Sequence, residues 1–109
     1  MNKEDMQKHI IDSLEDTKAQ DILVLDVQGK SDMTDVMIIT TGNSTRHVKS
    51  IAANLIKDMK DLDQQPLGSE GEENGEWVLV DLDNIIVHVM QRDIREFYNL
   101  EKLWGPQAA

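Results

Sequence analysis

Cysteine is absent from this chain of 109 residues. That excludes disulfides, thiolate nucleophiles and cysteine-based metal sites, and it fits a reducing compartment. Aromatic residues are scarce, with two Trp, one Tyr and one Phe. The core must therefore be built mostly from Ile, Leu, Val, Met and Ala, and the position of each aromatic becomes informative. Phe97, Tyr98 and Trp104 all fall near the C-terminal end. No apolar run approaches the roughly 20 residues that a membrane helix needs. The start, Met1 to Asp5, shows no apolar signal core behind a basic stretch. The expectation is a soluble, intracellular and cytoplasmic protein without membrane contact.

Basic residues are outnumbered. Eleven Lys and Arg stand against 21 Asp and Glu, for a net charge of −10. Such a chain is repelled by phosphate backbones, which argues against wrapping nucleic acid broadly. A basic protein partner suits it better, since complementary fields speed encounter. Plain solubility is the blander use of the same charge. The length fits one domain over residues 1–109, with one modest core and no deep cleft between lobes.

Along the chain, Met6, Ile10, Leu14 and Thr17 share one side of a first amphipathic helix over residues 3–18. Residues 22–27 form a short apolar run rich in β-branched side chains, which predicts a buried strand. Residues 28–32 turn the chain, and residues 36–41 read as a second strand. Residues 42–45 break that strand, with Asn43 or Ser44 as N-cap of a helix. Val48, Ile51, Ala52, Leu55, Ile56 and Met59 give that helix an apolar face, with Arg46, Lys49, Lys57 and Lys60 opposite. Residues 64–68 predict a short edge strand, where Pro66 is tolerated. Residues 69–76 read as an acidic loop or hairpin connection. Strands at 77–82 and 85–90 flank an Asp83-Asn84 turn. A helical segment begins near Asp93, and Leu100 to Trp104 forms a last apolar turn. The fold class expected is α/β (α+β), with helices on both faces of a mixed sheet.

No chemistry emerges from these residues. The Gly42 turn lies at a helix start, where backbone amides can bind an anion. It lacks the glycines or lysine of a phosphate loop, so a capping turn is favoured. A strand–turn–helix of this kind also occurs in nucleotidyltransferases. There, paired carboxylates hold metal soon after the turn. Here the pair Asp81 and Asp83 comes about 40 residues later, and no acidic residue lies between Thr45 and Ile56. His9, His47 and His88 sit on separate elements without ligand spacing, and His88 reads as a hydrogen-bonded structural residue. No nucleophile has an evident base. The expectation is no catalytic residue, no metal and no cofactor. The basic stripe at Arg46, Lys49, Lys57 and Lys60 reads as a solvated face, with RNA phosphate or acidic protein as the alternative contact.

The C-terminal cluster is different. Aromatics with Leu and a neighbouring Arg are the residue types that bury large rigid area at binding hot spots. Phe97 and Leu100 are expected to pack inward. For Tyr98 and Trp104 both roles stay open, and Trp77 borders the same surface.

Residues 25–31 (LDVQGKS), 39–48 (ITTGNSTRHV), 76–81 (EWVLVD), 87–89 (VHV) and 95–105 (REFYNLEKLWG) together resemble the ribosomal silencing factor family, also called Iojap-like. The match runs in order over nearly the whole chain. The resemblance implies a nucleotidyltransferase-like fold with a mixed five-stranded sheet flanked by helices, without the catalytic metal motif. It implies binding to the large ribosomal subunit through its protein number fourteen, a block on joining of the small subunit, repression of translation when nutrients are scarce, and homodimers. A minor contact with ribosomal RNA is compatible with it. Carried over position by position, the partner-binding residues are Trp77, Asp81, Tyr98, Asn99, Leu100, Lys102 and Trp104. The acidic loop at 70–76 and the tail after Gly105 depart from the family pattern. The alternatives are a large-subunit assembly factor and a cryptic metal-dependent nucleotidyltransferase.

Overall fold

The computed structural model describes residues 1–105. The tail after Gly105 lies outside the described residues. Among those described, no helix is long and apolar enough to cross a membrane.

Helix α1 (Lys3–Asp16) opens the chain. The Asn2 side chain accepts from the Asp5 amide at 2.8 Å, and Glu4 and Asp5 place negative charge at the positive end of the helix dipole. Ile10 and Leu14, one turn apart, are fully buried. The helix stops before the predicted end because the Thr17 hydroxyl donates to the carbonyls of Ser13 and Leu14, 3.3 and 3.1 Å away. Strands β1 (Gln20–Asp26) and β2 (Val36–Gly42) follow, then helix α2 (Thr45–Asp61). Every residue of β2 is buried, as its unbroken apolar run requires of a central strand. Ser44 caps α2 by accepting from the His47 amide at 3.0 Å.

The edge strand β3 is Gly68–Glu70, not the predicted 64–68. Pro66 carries no N–H for a ladder, and pairing begins with the Leu67 amide on the Asp81 carbonyl. Strands β4 (Trp77–Asp81) and β5 (Ile85–Gln91) form the hairpin. The chain ends in two short helices, α3 (Arg92–Tyr98) and α4 (Leu100–Trp104).

The sheet order is β1-β2-β5-β4-β3. β2 and β5 are parallel, and the other neighbours are antiparallel. This is the mixed five-stranded sheet expected. One face is sealed. Val48, Ile51, Ala52, Leu55 and Met59 of α2, with Ile10 and Leu14 of α1, bury Ile38, Val78, Val80, Val87 and Val89. Gly42 allows this close approach, since a Cβ there would lie 2.7 Å from Val48 Cγ2. The other face carries a smaller cluster of Leu25, Val27, Met37, Ile39 and Met90, with Ile94, Leu100 and Trp104 laid over it. α1 and α2 run 14 and 17 residues, whereas α3 and α4 run only 7 and 5. The second face is therefore covered only in part. On β4, Val78 and Val80 are buried beneath α2, while Trp77, Leu79 and Asp81 on the reverse side remain partly exposed.

Candidate partner-binding face

Alternation along β4 puts Trp77, Leu79 and Asp81 on the thinly covered side. The Trp77 indole Nε1–H donates to His88 Nδ1 at 2.9 Å, which fixes the ring against β5. The Tyr98 ring meets Trp77 at 4.9 Å between centroids, and Phe97 meets Tyr98 edge-on at 5.1 Å. His88 lies on the other side of Trp77 at 5.8 Å. The result is a ladder running His88, Trp77, Tyr98, Phe97 from the sheet out to solvent. The Phe97–Tyr98 pair has the edge geometry that ring quadrupoles favour, and Trp77 and Tyr98 meet at a tilt of 53°.

The outer end of the ladder is bare. Phe97 is 80% exposed, Tyr98 53% and Leu103 64%. Phe97 and Tyr98 are in contact and form one exposed apolar patch, and Leu103 is exposed on the helix that follows. Beside it lies a shallow depression of about 310 Å³ lined by Glu70, Gly71, Trp77 and Leu79. Gly71 has φ +93, and a Cβ there would overlap the Trp77 carbonyl oxygen. The acidic loop thus sits tight against the Trp77 backbone and supplies Glu70 to the rim.

Arg95 holds this arrangement in place. Its Nε donates to Glu101 Oε1 at 2.7 Å, and its Nη1 donates to the Asp21 carbonyl and to Thr41 Oγ1, both at 2.8 Å. The Asp21 carbonyl is presented by an irregularity in β1, where Asp21 has φ 50. Arg92 adds an ion pair to Asp21 at 3.1 Å. Asn99 then breaks the C-terminal segment into two helices. It adopts the left-handed conformation, φ 49 and ψ 57, that Asn tolerates, and its side chain accepts from the Lys102 amide at 3.4 Å.

The structure distributes the seven positions carried over from the family. Trp77 and Tyr98 are in direct tilted ring contact. Asn99 makes the break that aims Tyr98. Leu100 and Trp104, four residues apart on α4, pack partly buried on the second apolar cluster. Lys102 is exposed on α4. Asp81 stands at the far end of β4, four residues or about 13 Å from Trp77 along the strand. Its carboxylate accepts from the Asp83 amide at 2.9 Å and shapes the hairpin turn.

Phe97 is a correction. Its expected inward packing fails because Ile94 and Arg95 take the inner side of α3. Phe97, two residues and about 200° beyond Arg95, points away from the sheet. Leu79 and Leu103 were passed over as well. Strand alternation from Trp77 would have found Leu79. Leu103 is marked by lying between Lys102 and Trp104 on a helix whose inward positions are Leu100 and Trp104.

The other motifs have structural uses. The turn before α2 is a hydrogen-bonded cap. Asn43 N–H donates to His47 Nδ1 at 3.0 Å and the His47 amide to Ser44, while His47 Nε2 sits 2.7 Å from the Thr17 carbonyl oxygen. Asp83, at φ 73, belongs to the turn with Asp81. Among the described residues no three His, Asp or Glu side chains are grouped to hold a metal ion. Lys49, Lys57 and Lys60 line an open groove of about 590 Å³ with Ala53, Ile56, Asp61 and Glu72, on the opposite side of the sheet from the ladder. Lys57 is paired with Asp61 at 3.2 Å. Burial lowers the His88 imidazole from 6.5 to about 4.

The chain is similar to several known proteins. Residues 1–109 match the family model described as "Ribosomal silencing factor during starvation". The ribosomal silencing factor RsfS of Haemophilus influenzae is 48% identical over 96 residues, covering 88% of this chain and 94% of that protein. A mouse protein named "Mitochondrial assembly of ribosomal large subunit protein 1" is 34% identical over 98 residues, 87% of this chain and 43% of that one. A crystal structure of a Chromobacterium violaceum protein superposes with TM-score 0.94 at 40% identity, covering all of this chain and 91% of that one.

Two outcomes follow from the packing. Trp104→Ala is expected to destabilise the fold by about 2 kcal/mol, a partial share of the cost of a fully buried Trp, while Phe97→Ala stays within about 0.5 kcal/mol. Urea unfolding of the two variants measures both, and equal losses would contradict the assignment. Because His88 is harder to protonate folded than unfolded, its contribution is complete above about pH 6.5 and declines as pH falls towards about 4. Stability of the parent is therefore expected to fall more steeply over that window than stability of His88→Asn. Parallel profiles would show that burial of this ring is not what separates them.

Proposed function

The chain belongs to the ribosomal silencing factor family, and we propose that it represses translation by binding the large ribosomal subunit and keeping the small subunit from joining. The contact is made in the cytoplasm, with protein number fourteen of the large subunit, through the face that carries the aromatic ladder. The observation that carries this reading is the ladder itself, with Phe97 and Tyr98 exposed on a sheet face that the C-terminal helices leave half covered. Aromatic side chains presented rigidly at low entropic cost are the usual anchors of protein interfaces.

Charge supports the choice of partner. Glu70 lines the depression beside Trp77, and Glu76 and Glu96 are exposed next to Trp77 and Phe97 in the chain. An apolar centre with an acidic rim suits a basic protein, which ribosomal proteins generally are. A chain of this size can present on the order of 800 Å² to a partner, enough for a specific contact. Repression then needs no chemistry. A bulky fold occupies ground where the other subunit must dock.

A second reading is supported by the printed name of the mouse relative, which concerns assembly of the large subunit. Under that reading the same face holds a subunit precursor, and a deletion strain accumulates precursors during growth.

Co-sedimentation with isolated bacterial large subunits tests the principal reading. The parent chain is expected to travel with the subunits, and Phe97→Ala and Tyr98→Ala are each expected to weaken binding about tenfold or more. A parent chain that stays at the top of the gradient, or variants that pellet as it does, would contradict the proposal.

A further inference from the structure

His88 interrupts an otherwise apolar stretch of the binding face. On β5 it lies between Ile86 and Met90, opposite Leu79 of β4 and Ile39 of β2. It is only 6% exposed. A polar ring enclosed by such neighbours has to have its hydrogen-bonding groups satisfied or reaching solvent.

One ring nitrogen is accounted for. Nδ1 accepts the Trp77 indole N–H at 2.9 Å. Indole only donates, so Nδ1 carries no proton. Burial keeps the ring neutral at ordinary pH. The single ring proton must therefore sit on Nε2. In imidazole Nε2 belongs to the outer edge of the ring, further from Cβ than Nδ1, so this N–H points off the sheet.

Nε2 has no hydrogen-bond partner among the described residues, where the contact at Nδ1 is the one this ring makes. No fully enclosed side-chain nitrogen or oxygen among them lacks a partner. Among the described residues Nε2 is consequently not sealed in. It keeps a small opening to solvent beside Trp77, at the foot of the ladder. Trp77 thus sets the tautomer of His88 and turns the face into an apolar surface with one oriented donor.

A partner that covers this donor without accepting from it leaves an unpaired N–H, and the cost falls on binding. The acceptor is an oxygen or an unprotonated ring nitrogen, and backbone carbonyl oxygens are the commonest acceptors a protein offers. Glu70 on the neighbouring rim repels a carboxylate or a phosphate, so an uncharged carbonyl fits best and an RNA backbone fits poorly. We propose that His88 is the polar positioning residue of the face: its Nε2–H donates to a backbone carbonyl of the protein segment that covers Trp77 and Tyr98, and so sets the register of that segment. The inference rests on the reading that this face binds the large subunit.

Two substitutions separate the donor from the packing. In His88→Asn the amide lies near the place of Nδ1, so Trp77 keeps an acceptor and the outer donor is lost. In His88→Gln the amide extends to the place of Nε2, so an outer donor is kept. With isolated bacterial large subunits as the probe, His88→Gln is expected to bind within about threefold of the parent and His88→Asn about tenfold more weakly than His88→Gln. Equal affinities of the two variants, whether strong or weak, would overturn the proposal while leaving the silencing reading intact if the parent binds. A parent that does not bind removes both. Nitrogen-15 NMR of the free parent gives an independent check that needs no variant to fold. The protonated nitrogen of His88 is expected to be Nε2 at neutral pH, and a proton on Nδ1 or an imidazolium would overturn the assignment.

Discussion

One guanidinium fixes where the C-terminal segment can lie. Neither α3 nor α4 has a fully buried residue, so packing alone gives them little hold. Arg95 supplies the rest. Its side chain is 12% exposed and ties α3 to the Asp21 carbonyl of β1, to Thr41 of β2 and, through Glu101, to α4. A partly buried charge must keep its partners, because losing one leaves the other uncompensated. That requirement makes the clamp directional. It sets α3 at the end of the sheet where Trp77 emerges, and Asn99 then returns the chain across the face. Tyr98, between the clamp and the break, can only come down on Trp77. The exposed ladder is a consequence of that placement.

The two faces of the sheet consequently divide the work. α2, with a full row of buried positions against Val78, Val80, Val87 and Val89, secures the fold. The reverse face is secured only over β1, β2 and β5 and stays open over β4. Elements with few buried contacts belong to the low-stability end of a protein, where binding segments are commonly found. The acidic loop adds to this by resting on the Trp77 backbone at Gly71. What the open face offers is shape, apolar area and one oriented donor. The proposed binding and steric exclusion would need no more than such a surface.

Much of the fold was legible because it rests on strong periods. The apolar row of α2 and the unbroken runs of β2 and β5 state their environment residue by residue. The edge strand was displaced by a few residues because its position depends on pairing with β4, which no local pattern records. The ending was read as a helical segment near Asp93 and a last apolar turn over Leu100 to Trp104, without the break, which depends on Asn99 adopting a left-handed conformation. Phe97 was misplaced because inward and outward on a seven-residue helix are decided by the Arg95 clamp, a contact over 54 and 74 positions of sequence. Trp77 and Tyr98 were picked out by composition and by likeness to the family, and the structure brings their rings into contact. Trp104 was picked out by the same signals, and it packs on the sheet. Scarcity of aromatics shows that each one matters. It does not say whether the ring faces the core or the partner. His88 read correctly as hydrogen-bonded, yet its partner, 11 positions away on the neighbouring strand, was beyond reach of the sequence.

The central claim is that the half-covered face, and not the basic groove behind the sheet, meets the ribosome. Hydroxyl-radical oxidation read residue by residue, on the free chain and on the chain bound to large subunits, tests it most directly. Phe97, Tyr98 and Leu103, all more than half exposed in the free chain, should lose most of their reactivity on binding, while Ile56 in the groove on α2 keeps its own. Protection of Ile56 with Phe97 and Tyr98 still fully reactive would contradict the account.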